Sequence, residues 1–382
     1  MLTTSLKNYN FWFKFLIFIF IISLPLTEAV KNISLSILFL LFLYELFLKK
    51  IYLKFNIVDI FILLHLLVAF TGILFGVNTQ ETLKQFPNLL FITFIYFFFR
   101  WLPYKKFEIS EKFIFNTIFI SFIIAGLYGF YEYFIEHYRY MSLNSVGSVN
   151  RSATYAMFIF VISFGYWLYN KNNLALVTFI FTIVFIFLTG SRMAIYTLPI
   201  MIIFLLYVFN RITIKNILIS IIAIALLAMI FLYFFPDSRV AIKIKKGFND
   251  PARIQIWISC IYIWLSHNIF FGIGMGNSIF FSTKTFFGKN AIEGYINNAH
   301  NTYLDMLLER GLFGLFTYLG FLLSALYKFW ETKDFYLSKI SMALIVSSLI
   351  MSFMNITFRY EFAMLFVIIL GLTLNKIEYE KN

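Results

Sequence analysis

The chain has 382 residues, of which 61% are hydrophobic and 22% aromatic, while only 13% are charged. Soluble domains carry about a quarter charged residues and roughly half apolar ones, so a soluble fold is excluded and an all-α polytopic integral membrane protein is expected. A formal charge of +13 in such a chain points to loops on the positive side of a membrane or to an anionic lipid ligand, ahead of nucleic acid. The single cysteine, Cys260, rules out an internal disulfide framework.

A membrane-crossing helix needs roughly 20 apolar residues. Twelve apolar runs meet or approach that length, at 11–26, 33–48, 57–75, 86–99, 113–133, 153–169, 174–188, 194–209, 214–235, 303–329, 335–354 and 362–374. The first has no small-residue cleavage site and reads as a span, not a signal peptide. A further stretch, 254–271, is interrupted by Gln255, Ser259, Ser266, His267 and Asn268 and is rich in Trp and Tyr. It reads as a helix lying on the membrane surface. The expected organisation is a nine-span bundle over 1–235, a long loop over 236–302 and a three-span bundle over 303–382. No internal repeat is visible.

Twelve spans place both termini on one side. With the termini cytoplasmic, seventeen lysines and arginines fall in cytoplasmic segments, and six (Lys31, Lys84, Arg139, Arg151, Arg192 and Arg359) in short outer loops. That bias supports this orientation. The long loop is then outside and is basic: Arg239, Lys243, Lys245, Lys246, Arg253, Lys284 and Lys289 stand against Asp237, Asp250 and Glu293. Either an anionic substrate docks there or the loop is drawn to acidic headgroups of the outer leaflet.

Particular residues in the outer segments suggest chemistry. Arg192 lies in "FLTGSRMAIY", a minimal turn between two spans. Arg253 lies in "NDPARIQIW", where Asp250 and Pro251 resemble a helix cap and first turn. A guanidinium keeps its charge and binds phosphate oxygens with paired hydrogen bonds. An arginine at a membrane interface is otherwise a snorkelling anchor. The glycines of "FGIGMGNSIFF" offer bare amides, which either cradle phosphate or form a flexible turn. His300, in "NNAHNTYLDMLLERGLFG", is expected in the first turn of a long helix capped by Asn297 or Asn298. There the helix dipole and nearby arginines favour a neutral imidazole, which can act as a general base. The alternative is a histidine that donates to a loop carbonyl. His65, in the middle of a span, is expected to hydrogen-bond within the bundle. No pair of His, Cys, Asp or Glu has metal-ligand spacing, and neither metal nor cofactor is expected.

The segment "HNTYLDMLLERGLFGLFTYL" resembles the signature of the O-antigen ligase and O-antigen polymerase superfamily, through His300, Asn301, Tyr303, Leu304, Glu309, Gly311 and Gly314. "LTGSRMA" is similar to the family's Ser-Arg turn through Arg192. "ARIQIW" followed by "GIGMG" is similar to its Arg-x-x-x-Trp helix and glycine turn through Arg253 and Trp257, and "GSVNRSATYA" to an Asn-x-x-Ala stretch through Asn150 and Ala153. The resemblance covers 150–318. It implies a metal-independent glycosyltransferase of the bacterial inner membrane with its site facing the periplasm. The implied donor is a glycan on undecaprenyl pyrophosphate, and in ligases the acceptor is a sugar hydroxyl of lipid A–core. His300 takes the place of the family's base, and Arg192 and Arg253 the places of the arginines that hold pyrophosphate. Asn301, Tyr303, Lys243, Lys245, Lys246 and Arg359 are candidates for binding substrate.

A direct displacement would invert the anomeric centre. The alternatives are an O-antigen polymerase, a protein O-oligosaccharyltransferase (disfavoured because the chain stops soon after 374) and, from another class, a lipid-linked glycan transporter or flippase. Transporters tend to show repeats and midplane polar groups, whereas the candidate charges here gather at one face.

Overall fold

The computed structural model describes residues 2–48, 51, 53–138, 140–234, 241, 250–292 and 294–379. A helix forms at each of the twelve apolar runs: α1 (Leu2–Ser23), α2 (Glu28–Phe47), α3 (Ile57–Phe75), α4 (Thr79–Trp101), α5 (Glu111–Phe134), α6 (Val149–Asn170), α7 (Asn173–Thr189), α8 (Arg192–Val208), α9 (Ile214–Phe234), α12 (Thr302–Glu331), α13 (Tyr336–Met351) and α14 (Tyr360–Tyr379). Between α9 and α12 lie α10 (Pro251–Ser266) and the one-turn α11 (Lys284–Phe287). Seven of the helices are long and apolar enough to cross a membrane, and shorter apolar helices join them. In hydrocarbon only a helix or a closed barrel satisfies its own backbone, so this is an all-α polytopic membrane protein.

Polar residues punctuate the apolar runs and fix where several of the helices start. The side chains of Thr27, Asn56, Asn78, Ser110 and Asn172 accept hydrogen bonds from the first-turn amides of α2, α3, α4, α5 and α7. Gly190, in the left-handed region at φ 66°, ends α7 and lets the chain reverse through Ser191 straight into α8.

The helices share one hydrophobic core, with α14 packed against α4 and α6, and α12 against α3. Helices α3, α4 and α6 thus pack directly against α12 and α14. Large apolar side chains stay exposed around the perimeter, Phe47, Leu74 and Leu67 among them, where lipid would meet them. Ion pairs join helix ends that the alternation places on the same face. Arg100 pairs with Asp59 and Glu378, Lys106 with Glu45 and Lys376 with Glu111 at one face; Lys31 pairs with Glu361 at the other.

Two features of the second half depart from the pattern of plain spans. First, α12 is broken at Gly311, whose φ of 64° and ψ of −162° are not helical. The part that follows, 312–331, has the length of a span, about 30 Å at 1.5 Å per residue. The part before it, 302–310, packs along α10. Second, Ile256, Cys260 and Ile263 of α10 form a small separate core with Ile273, Ile296, Ala299 and Leu308. The 16-residue α10 is short for a span, and the chain at both its ends stays on one face. Beyond it, Ile273 accepts a hydrogen bond from Val77 in the α3–α4 turn. Its opposite side exposes Ile254, Ile258, Tyr262 and Leu265, the apolar stripe expected of a helix resting on a membrane surface.

Candidate active site

The site lies where three turns meet: α7–α8, the run-up to α10, and α13–α14 beside the start of α12. Arg192 is the first residue of α8. Its guanidinium reaches Asp250, Nη2 to Oδ2, at 2.9 Å, and Arg253 Nε approaches the same oxygen at 3.5 Å. Asp250 and Pro251 do stand at the cap and first position of α10, but the carboxylate makes no capping hydrogen bond. It serves as the bridge between two arginines. Both guanidinia are about one-fifth exposed, so they are partly desolvated and still reachable. They line a cleft of about 200 Å³ together with Asn150, Ser191 and Asn355.

A second cleft, of about 400 Å³, adjoins the first and shares Asn150 and Asn355 with it. Its walls include Arg151, His300, Arg359 and Tyr360. His300 does not sit in the first turn of α12. It precedes the helix, at φ 49°, with its amide donating to Asn298 Oδ1 at 2.9 Å. The cap is Asn301, whose Oδ1 accepts from the Leu304 amide at 3.1 Å, in place of the expected Asn297 or Asn298. The reason is register: Asn298 is spent turning the chain at His300. The imidazole of His300 has no hydrogen-bond partner among the described residues and opens on the cleft. By contrast, His65 bonds to Thr317 at 3.0 Å and to Arg310 at 3.1 Å, and His267 bonds to the Ile263 carbonyl at 2.8 Å. Burial, then the charges of Arg253 and Arg151, hold His300 below the ordinary histidine pKa, with Asp250 opposing them. The imidazole is therefore neutral near neutrality. The cause is desolvation and neighbouring cations; the helix dipole invoked from sequence is not needed.

His300 and Tyr360, at φ 60°, are non-glycine residues in the left-handed region, and both face this cleft. Such conformations cost energy and persist where the surroundings impose them, often at functional sites.

The remaining sequence candidates fall into three groups. Arg359 lines the second cleft, but its guanidinium is engaged by Glu309 and, at 2.9 Å, by Asp305. Those buried carboxylates keep it strongly protonated. Asn301 and Tyr303 spend polar atoms on packing: Asn301 Nδ2 donates to the Phe353 carbonyl at 3.2 Å, and the Tyr303 hydroxyl to the Leu349 carbonyl at 2.7 Å. Lys243, Lys245 and Lys246 lie outside the described residues.

The glycine turn is neither a phosphate cradle nor loose. The Ile273 and Gly274 amides donate to the Leu308 and Glu309 carbonyls at 2.9 and 3.0 Å, and the Gly276 amide donates to Glu309 Oε1 at 2.8 Å. Added carbon at Gly274 would come within 2.6 Å of Thr82 Oγ1 and 3.0 Å of Gly76 Cα. The turn is a joint that clamps the α3–α4 turn to the break in α12.

Sequence reasoning missed Arg151, Asn150 and Asn355 as wall residues. Asn150 and Arg151 stand in the quoted "GSVNRSATYA", and Asn355 stands four residues before Arg359. Proximity to already chosen residues was the available signal. Among the described residues, no group of three His, Cys, Asp or Glu side chains is placed to hold a metal ion.

Comparison with known proteins bears on the same region. A family model described as O-antigen ligase matches residues 176–319. The matched segment contains Arg192, Asp250, Arg253 and His300; Asn150, Arg151, Asn355 and Arg359 lie outside it. No curated protein matches the chain.

Proposed function

We propose, from the match of residues 176–319 to a family model described as O-antigen ligase and from the site described above, that the protein is an O-antigen ligase. It transfers a glycan from undecaprenyl pyrophosphate to a sugar hydroxyl of lipid A–core at the periplasmic face of the bacterial inner membrane. The observation that carries the reading is an uncommitted His300 imidazole next to a cleft holding two arginines on one carboxylate.

The chemistry is a single displacement. A ring nitrogen of His300 takes the proton of the acceptor hydroxyl. The hydroxyl oxygen attacks the anomeric carbon while the bond from that carbon to the phosphate oxygen breaks, and the electron pair leaves with undecaprenyl pyrophosphate. Charge grows on the leaving pyrophosphate, and fixed guanidinia stabilise charge that develops in the transition state more than charge already present. Arg192 and Arg253 take that role, with Asp250 aligning them. Attack opposite the leaving group inverts the anomeric centre. The lysines of 243–246 and Arg359 are candidates for holding phosphates or supporting the acceptor chamber.

The test is transfer with purified protein, undecaprenyl-pyrophosphate-linked glycan and lipid A–core, in the presence of a chelator, comparing wild type with His300→Ala. Glycan on lipid A–core with wild type alone supports the ligase. Glycan lengthening on the carrier instead makes the protein a polymerase. Equal transfer by His300→Ala removes His300 as the base.

A further inference from the structure

The cations of the site are not equally engaged. Arg192 and Arg253 face Asp250, and Arg359 faces Asp305 and Glu309. Arg151 differs. Its guanidinium stacks on the Tyr360 ring, 3.7 Å from carbon to ring centroid. Among the described residues it makes no ion pair and donates no hydrogen bond. The stacking covers one face of the planar group and leaves its edge, where the N–H donors point, unspent. A guanidinium partly withdrawn from water, fixed on a ring and with no carboxylate among the described residues beside it, is where an incoming anion gains most.

The location says which substrate brings that anion. Arg151 and His300 share the larger cleft, and Arg192 and Arg253 line the smaller one. A general base must lie within hydrogen-bond reach of the hydroxyl it deprotonates, so the acceptor occupies the chamber of His300, which is also that of Arg151. We infer that Arg151 binds a negatively charged substituent, phosphate or carboxylate, on the acceptor glycan close to the accepting hydroxyl, making this an enzyme for anionic acceptors. The inference rests on His300 being the base.

The experiment uses the purified full-length protein and a lipid-anchored acceptor glycan made in three forms: with a phosphate monoester beside the accepting hydroxyl, with a carboxylate there, and neutral. Kinetics are measured for wild type, Arg151→Gln and Arg151→Lys. Wild type should prefer an anionic acceptor over the neutral one. Measured on the pH plateau above the His300 limb, Arg151→Gln should raise the KM for that acceptor roughly tenfold, the loss of a charge-assisted hydrogen bond, a change well beyond any in the donor KM or in the KM for the neutral acceptor. Arg151→Lys should recover part of the preference. The preferred anion identifies the group. A wild type that treats all three acceptors alike, or a donor KM that rises in Arg151→Gln, overturns the inference. If no glycan is transferred by any form, the ligase reading fails, and direct binding still decides. Equilibrium binding of the anionic and neutral glycans should then differ for wild type and not for Arg151→Gln; equal binding by wild type overturns the assignment.

Discussion

Replacing Gly311 with alanine tests the break that sets the site's geometry. The cost has two parts. Gly311 has φ 64° and ψ −162°, a region almost closed to other residues, where strain is of order 1–3 kcal/mol. The added Cβ would also fall inside contact distance of the Phe270 carbonyl and 2.5 Å from the Phe271 amide nitrogen. These are backbone atoms, so no rotamer change relieves the clash. They are held in place because Leu312 donates to the Ile269 carbonyl at 2.9 Å and Phe313 to the Phe270 carbonyl at 3.2 Å. Displacing the segment sacrifices at least one of these bonds, about 1–3 kcal/mol for a buried group left unpaired. The sum is roughly 2–6 kcal/mol, a large part of a typical 5–15 kcal/mol total. The control is Gly294→Ala, where an added Cβ has nothing within 4 Å and φ is not positive. Heating the detergent-solubilised protein and measuring the surviving monodisperse fraction by size exclusion should show Gly311→Ala lost well below wild type and Gly294→Ala unchanged. If the two variants survive alike, the break is not the strained joint described here.

Other outcomes follow from the charges. Arg359→Met strips the counter-ion from Asp305 and Glu309, both at most 1% exposed as side chains, and should destabilise by about 3–5 kcal/mol; the same heating assay reads this, and a silent variant would refute the pairing. Arg192→Gln or Arg253→Gln should lower kcat by about 10²–10³, as for loss of a transition-state charge donor, with acceptor KM unchanged; steady-state transfer kinetics separate the two. The pH profile of kcat/KM should fall on the acid side only below the ordinary histidine value, because a base with a lowered pKa stays neutral further into acid. Arg151→Gln should move that limb up and Asp250→Asn should move it down, since one charge depresses the His300 pKa and the other raises it. An acid limb at or above the ordinary value in wild type contradicts the burial of His300.

Several helix starts were legible because two independent signals agree there. An apolar run sets the body, and a residue such as Asn56 or Asn172, with an acceptor side chain, sets the start. The helix within 254–271 was legible from its apolar residues, and the structure forms it over Pro251–Ser266. What stayed hidden is tertiary. Gly311 inside an apolar run reads as a tolerated membrane glycine; its left-handed backbone exists only because 269–274 pass against it. Asp250 has the residue type and position of a cap. Its carboxylate turned to the arginines because Arg192, 58 residues earlier, is brought to 2.9 Å of it. Arg151 in a short outer loop reads as a snorkelling cation, and only the Tyr360 ring beneath it gives it a fixed direction.

The distribution of carboxylates explains how a cationic site can be assembled from four arginines without flying apart. Asp305 and Glu309 are buried and tie Arg359 into the start of α12; Glu309 also accepts from the Gly276 amide, so one side chain joins α12, the α13–α14 turn and the glycine joint. That group of charges holds the frame, because removing one partner would leave the others buried without a counter-charge. Asp250 is different: it is about one-third exposed, touches both Arg192 and Arg253, and leaves that trio with a net charge of +1. An exposed ion pair of this kind contributes on the order of 1 kcal/mol or less to stability, so it yields readily when a dianionic group enters. Asp250 holds the two guanidinia beside one cleft, and an anion entering there competes with a single carboxylate still partly open to water. The division of labour is therefore between buried acids that fix the scaffold and one accessible acid that keeps the arginines poised.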